Sequence, residues 1–172
     1  MLGRTMTTSV VVDTDLGSIE IDLDEAKAPK TVANFLAYVD AKHYDGTIFH
    51  RVIPGFMAQG GGYDADYEKK PVQDAVENEA DNGLKNTRGT VAMARTSDPH
   101  SATAQFFVNV KDNGFLDHTG KNASGWGYTV FGTVTSGMDV VDKIVNVKTG
   151  SKGPFSKDAP LENVLIKSIR RK

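Results

Sequence analysis

The chain has no cysteine in its 172 residues, which excludes disulfides, thiolate nucleophiles and zinc–thiolate sites. Histidine is sparse, at four residues, and none forms a zinc-type pair: His43 and His50 are seven apart, and His100 and His118 stand alone. Serine hydrolysis is equally unsupported, because Ser97, Ser101 and Ser124 lack a G-x-S-x-G elbow. Neither sign of charge dominates. With 20 Lys and Arg against 22 Asp and Glu, the net charge of −2 lacks the basic surplus that general nucleic-acid or anionic-membrane binding requires. No apolar run approaches the roughly 18 residues of a membrane-spanning helix, and Met1 to Ser9 has no signal-peptide core. These absences predict a cytoplasmic protein without cofactor, metal, nucleic-acid or membrane partner. Residues 1–7 read as a flexible leader, with Met1 and Met6 as alternative starts.

A chain of this length, with 39% hydrophobic and 24% charged residues, suits one domain around one core, over residues 1–172. Ile19, Ile21 and Leu23 alternate with Glu20, Asp22 and Asp24, and Asp15-Leu16-Gly17 supplies a turn, so residues 9–24 read as a β-hairpin. Val32, Phe35, Leu36 and Val39 then follow helical spacing, and Pro29 suits a first helical position. The spacing predicts a helix over 29–41.

Strands are expected at 47–53, 89–95, 104–110, 128–134 and 162–169, with a polar surface excursion from Tyr63 to Lys85. A second helix is expected near Met138, Val141, Ile144 and Val145, opened by a capping box of Ser136 and Asp139. The segment from Thr149 to Pro160 carries turn residues but no strand pattern. Many strands and only two helices exclude a doubly wound sheet. The natural solution is a mainly β, antiparallel barrel closed by helices, which also removes exposed edges.

The chemistry-bearing stretch is Phe49-His50-Arg51-Val52-Ile53-Pro54-Gly55-Phe56-Met57-Ala58-Gln59-Gly60-Gly61-Gly62. Alternation places Phe49, Arg51 and Ile53 on one face of a strand and Ile48, His50 and Val52 on the other. Gln105, Phe107 and Asn109 share a face of a later strand, so an arginine face and a Gln/Phe face could line one site. A guanidinium only donates, stays charged and presents a planar fork, so chemistry built on it would form no covalent bond to the protein. Composition alone favours Arg51 as a surface residue paired to a carboxylate, and Phe56, Met57, Phe107 and Leu116 as plain core. Gly60-Gly61-Gly62 suggests a phosphate cradle only weakly, since no Walker lysine follows.

Phe49 to Gly61 resembles the signature of the cyclophilins, the cyclophilin-type peptidyl-prolyl cis-trans isomerases, most closely their bacterial cytoplasmic branch. Asn86 to Val110, with Met93-Ala94-Arg95 and Ala104-Gln105-Phe106-Phe107, is similar to a second family motif. Phe115-Leu116 and Tyr128-Thr129-Val130-Phe131-Gly132 are similar to a third. The resemblance implies a closed eight-stranded antiparallel β-barrel capped by two α-helices, with the active groove on its outer surface. It implies Arg51 as the catalytic residue and Phe56, Met57, Phe107 and Leu116 as a proline pocket, with Phe115 and Tyr128 at the rim. Gln59 would support Arg51 and the substrate backbone. Ala94, Arg95 and Gln105 would line the subsite for residues before the proline, with His50 beside the groove. Implied partners are proline-containing peptides and folding proteins, with the chain a monomer; a non-catalytic proline-peptide module is the other reading of such a groove. Phe115 stands where eukaryotic members have tryptophan, and Tyr128 where they have histidine. Without the indole donor, only weak cyclosporin binding is expected.

Overall fold

The computed structural model describes residues 7–172, so both candidate starts and all but the last residue of the expected leader lie outside the described residues. In chain order the elements are β1 (Ser9–Thr14), β2 (Gly17–Leu23), α1 (Pro29–Asp40), β3 (Thr47–Ile53), β4 (Met57–Asp64) and β5 (Thr90–Met93). They continue with β6 (Phe106–Asn109), β7 (Val130–Ser136), α2 (Met138–Val145), β8 (Thr149–Lys152), β9 (Phe155–Pro160) and β10 (Leu165–Arg171). Eight strands close into a barrel in the order β1-β10-β3-β4-β6-β5-β7-β2, every pairing antiparallel. No helix among the described residues is long and apolar enough to cross a membrane.

The alternating residues of the first hairpin bury Val10, Val12, Ile19, Ile21 and Leu23 in the barrel interior, as their period requires. Helix α1 adds Val32, Phe35, Leu36 and Val39 to that interior, and Phe35 packs against Tyr44, Phe106 and Phe131 at centroid distances of 5.2, 5.8 and 5.1 Å. Ala28 has no side chain with which to cap this helix. Glu79 serves from a distant loop, its carboxylate accepting from the Thr31 amide at 2.7 Å and the Lys30 amide at 3.3 Å. Helix α2 adds Val140, Val141, Ile144 and Val145 to the same core.

The expected capping box does not form. Ser136 ends β7, Gly137 is the cap residue at φ 92°, and no side-chain bond caps α2. A Cβ at Gly137 would collide with the Ser18 carbonyl, so a tight left-handed turn replaces the side-chain cap.

Two stretches without strand pattern are strands. Residues 57–64 form β4, a full barrel strand, although Gly60, Gly61 and Gly62 weaken its propensity. Residues 149–160, read as a turn-rich connection, form the separate two-stranded β8–β9 sheet. The excursion beyond β4 carries isolated bridges from Lys69 to Tyr63 and from Val76 to Ala102, then a 3₁₀ turn at Ala80–Asn82.

Outside the lumen a second apolar cluster gathers Met57, Ala92, Phe107, Leu116 and Val130, with Ile53, Phe56, Leu84, Ala94 and Tyr128 packed around it. Met57, Ala92, Phe107 and Val130 are outward residues of β4 to β7, and Leu116 comes from the 3₁₀ turn Gly114–Leu116 between β6 and β7. The barrel therefore offers an apolar floor on its outer wall.

Candidate active site

Strict alternation would put Phe49 on the same face as Arg51, and the structure overturns this. Phe49 pairs with Gly60 and Arg51 with Gln59, so two steps along β3 match one along β4. This bulge adds a residue and resets the alternation. Phe49 and Val52 both enter the interior, while Arg51 is exposed and Ile53 joins the outer cluster.

Arg51 lines a cavity of about 160 Å³ on the outer wall. Phe56, Met57, Phe107 and Leu116 supply its apolar lining, and Gln59, Ala94, Arg95 and Tyr128 complete it. Met57, Phe107 and Leu116 are buried, so the pocket is built on packed side chains rather than on mobile ones. No carboxylate among the described residues forms an ion pair with Arg51, which leaves its fork facing the cavity. The composition-based alternative of a carboxylate-paired surface arginine is thus not what the fold builds.

A second hollow of about 230 Å³ adjoins it, sharing Gln59, Ala94 and Arg95 and adding Gln105 and Lys69. Gln59 donates to Gln105 Oε1 at 3.0 Å, so its amide links the two hollows instead of bonding Arg51. Arg95 is tied down: its Nε donates to Gly127 O at 3.0 Å and its Nη1 to Thr96 O at 2.8 Å. Its guanidinium carbon lies 4.3 Å from the Tyr128 ring centroid. The two arginines therefore differ in kind, one immobilised as part of the wall and one presented to solvent.

The three glycines serve packing, not phosphate. A Cβ at Gly60 would sit 2.8 Å from Ile48 O in the bulge, and one at Gly61 2.8 Å from the Tyr44 ring. At Gly62 it would collide with the Gln105 side chain. Their cause is the close approach of β4 to its neighbours.

Beneath the pocket runs a chain of buried amides that the motif reading passed over. Asn113 donates to Phe56 O at 2.9 Å and to Asn109 Oδ1 at 2.8 Å; Asn109 donates to Asn86 Oδ1 at 3.0 Å. Asn86 in turn donates to Leu116 O at 3.2 Å and Tyr128 O at 3.3 Å. The network joins the backbones that carry Phe56, Leu116 and Tyr128. Only Asn109, on the Phe107 face of its strand, carried a local signal; Asn86 and Asn113 lie in loops, where asparagine is ordinary.

Two expected site residues stand apart from the cavity lining. Phe115 is 75% exposed, its ring centroid 5.6 Å from that of Phe56 at the rim. His50 is buried between Tyr63 and Phe155 and lines neither hollow. Burial, with the Arg51 charge adding to it, lowers its pKa from 6.5 to about 4. The ring is therefore neutral at neutral pH. Among the described residues no group of three or more His, Cys, Asp or Glu is arranged to hold a metal.

A model of the family described as cyclophilin type peptidyl-prolyl cis-trans isomerase/CLD matches residues 9–171. The chain belongs to this family. Its relatives include peptidyl-prolyl cis-trans isomerase cyp18 of Streptomyces antibioticus, 59% identical over 162 residues, covering 94% of this chain and 97% of that protein. Peptidyl-prolyl cis-trans isomerase B of Escherichia coli K12 is 55% identical over 160 residues, covering 93% and 97%. A crystal structure of a Cryptosporidium parvum cyclophilin superposes with a TM-score of 0.78 at 25% identity, covering 97% of this chain and 98% of that one. The same parasite cyclophilin, in the presence of the dipeptide Ala-Pro, gives 0.76 at 26% identity, covering 95% and 98%. This cyclophilin is a peptidyl-prolyl cis-trans isomerase with the closed, two-helix barrel of its family.

Proposed function

We propose that this isomerase seats the proline ring of a peptide in the cavity of Phe56, Met57, Phe107 and Leu116 and uses Arg51 to stabilise the twisted amide. The observation that carries this reading is the position of a guanidinium, with no carboxylate partner among the described residues, on the lining of a preformed cavity that has an apolar floor. Rotation about an X-Pro bond crosses a barrier of about 18–20 kcal/mol because it breaks amide resonance. At the crest the proline nitrogen regains its lone pair and becomes a hydrogen-bond acceptor. A donor aimed at that nitrogen binds the twisted form better than either planar form, and only such differential binding lowers the barrier. Burying the ring contributes on the order of 1–2 kcal/mol, which favours modest affinity and rapid release.

Gln59, Ala94, Arg95 and Gln105 would hold the peptide backbone ahead of the proline. They include side-chain amides and a fixed cation; Gln59, Ala94 and Arg95 border both hollows, and Gln105 borders the second. Clients are proline-containing peptides and folding proteins, consistent with the Ala-Pro dipeptide present with the parasite cyclophilin. Cyclosporin would bind weakly, since Phe115 has no N–H to donate. A single-domain cytoplasmic monomer completes the reading, with one continuous interior core among the described residues.

The test is a proline-peptide isomerisation assay. Arg51→Ala should lower kcat/KM by roughly 10²–10³, the cost of one transition-state donor, and Arg51→Lys should recover little because it lacks the fork. The wild-type rate should be nearly flat from pH 6 to 8, since no acid or base is used. An unchanged kcat/KM in Arg51→Ala would remove Arg51 from the mechanism.

A further inference from the structure

The proposed chemistry leaves one buried titratable group without a task. His50 is 3% exposed, and its Nδ1 meets no hydrogen-bond partner. Its ring stacks on Phe155 with centroids 5.0 Å apart and planes at 28°, and Tyr63 meets it edge-on at 4.8 Å. Tyr63 and Phe155 also pack edge to face at 5.1 Å, closing a three-ring cluster. Phe155 opens β9, and the β8–β9 hairpin lies against β3. The hairpin is fastened: Asn163, just beyond it, donates to Ala65 O at 3.0 Å, and Lys152 Nζ donates to Leu161 O at 2.6 Å.

The strand beneath needs support at this point. β10 pairs with β3 only at Thr47 and Ile48, so the stretch from His50 to Ile53 has a barrel strand on one side alone. On that side the ladder is interrupted by the bulge, which leaves an extra residue unpaired. Arg51, Val52 and Ile53 pair with Gln59, Ala58 and Met57, whereas His50, the residue just before Arg51, has no cross-strand partner to fix it.

We propose that the β8–β9 hairpin braces the catalytic strand, Phe155 pressing the His50 ring into place and thereby fixing the bulge from which Arg51 projects. Phe155 and His50 are positioning residues, and the inference rests on the reading of Arg51 as the catalytic donor. Of the charged groups on the elements packed around His50, namely Arg51, Asp64, Lys152, Lys157 and Asp158, only Arg51 bears on its charge. The other titratable group in ring contact is the Tyr63 phenol. Removing Phe155 opens one face of the imidazole to water, so the pKa of the ring would rise toward its ordinary value of about 6.5, still held below it by the Arg51 charge, and the ring would take up a proton in mild acid.

The experiment is a double-mutant cycle of Phe155→Ala with Arg51→Ala, each protein assayed from pH 5 to 8 on an Ala-Pro peptide. Phe155→Ala should lower kcat about tenfold with KM changed less than about twofold, because misplacing a catalytic group costs turnover before affinity. It should also add a falling limb between about pH 6.5 and 5 that the wild type lacks, and Phe155→Tyr should restore both. In the Arg51→Ala background the Phe155 change should cost nothing further. A wild-type kcat with a flat profile in Phe155→Ala, or full additivity of the two changes, would overturn the brace. Phe155→Leu, which keeps apolar bulk without the aromatic face, carries the same readouts should the alanine variant fail to fold. Failure of Arg51→Ala to lose activity strikes the catalytic reading itself and is seen separately in the single variant.

Discussion

Acid should weaken this fold through His50 before it weakens it through any carboxylate. Native His50 stays neutral until about pH 4, whereas in the unfolded chain it takes up a proton near 6.5. Wherever the unfolded state binds more protons, stability rises with pH. The contribution is therefore complete above pH 6.5 and is lost as pH falls toward 4, at a limiting slope of about 1.4 kcal/mol per pH unit and about 3 kcal/mol in all. Between pH 7 and pH 5 the expected loss is about 2 kcal/mol. His43, also lowered by burial, adds a smaller loss of the same sign. The carboxylates of Asp40, Glu77 and Asp142 lie below their ordinary values because Arg171, Lys30 and Arg88 bind them, so they titrate at more acid pH. Urea unfolding at pH 7, 6 and 5 on the wild type and His50→Gln isolates the term. The variant should have a shallower pH dependence by about 2 kcal/mol over that span, whatever its stability at pH 7. Parallel curves would mean that native His50 is not held neutral by its burial, and the reasoning from Phe155 and Tyr63 would fall with it.

Gly62→Ala should push the Gln105 amide aside and break its bond to Gln59, lowering kcat/KM by about twofold to tenfold while melting stays within a few degrees. An unaffected kcat/KM would separate the Gln59–Gln105 pair from substrate handling. Asn86→Leu leaves Tyr128 O without its donor, while Asn109 keeps its bonds to Thr90 and Asn113 and Leu116 O keeps the Tyr128 amide; it should cost about 2 kcal/mol by chemical denaturation, and a loss under about 1 kcal/mol would mean the network is not cooperative. Phe115→Trp supplies the missing rim donor and should tighten cyclosporin binding about fivefold by calorimetry, with an unchanged Kd placing the weakness elsewhere.

Much of this protein is legible along its chain. The alternation at Ile19, Ile21 and Leu23 and the helical spacing at Val32, Phe35, Leu36 and Val39 predict β2 and α1 within a residue or two, because each element buries one face and that face has a fixed period. The same logic correctly separates Phe107 and Asn109 from Phe106, Val108 and Val110, outer wall from lumen. Family resemblance adds the identities around Arg51. What periodicity could not carry are the features in which a distant partner decides. The bulge that parts Arg51 from Phe49 exists only in the register between β3 and β4, and β4 hides behind three glycines whose missing side chains make room for neighbouring strands. The amides of Asn86, Asn109 and Asn113 become a scaffold only once closure of the barrel deprives them of water. Likewise, nothing local to Phe155 or His50 announces that one ring will lie on the other. Local pattern determines which side of each element is buried. Where two elements meet, and how the chain kinks to satisfy both, is set by close packing across the whole barrel.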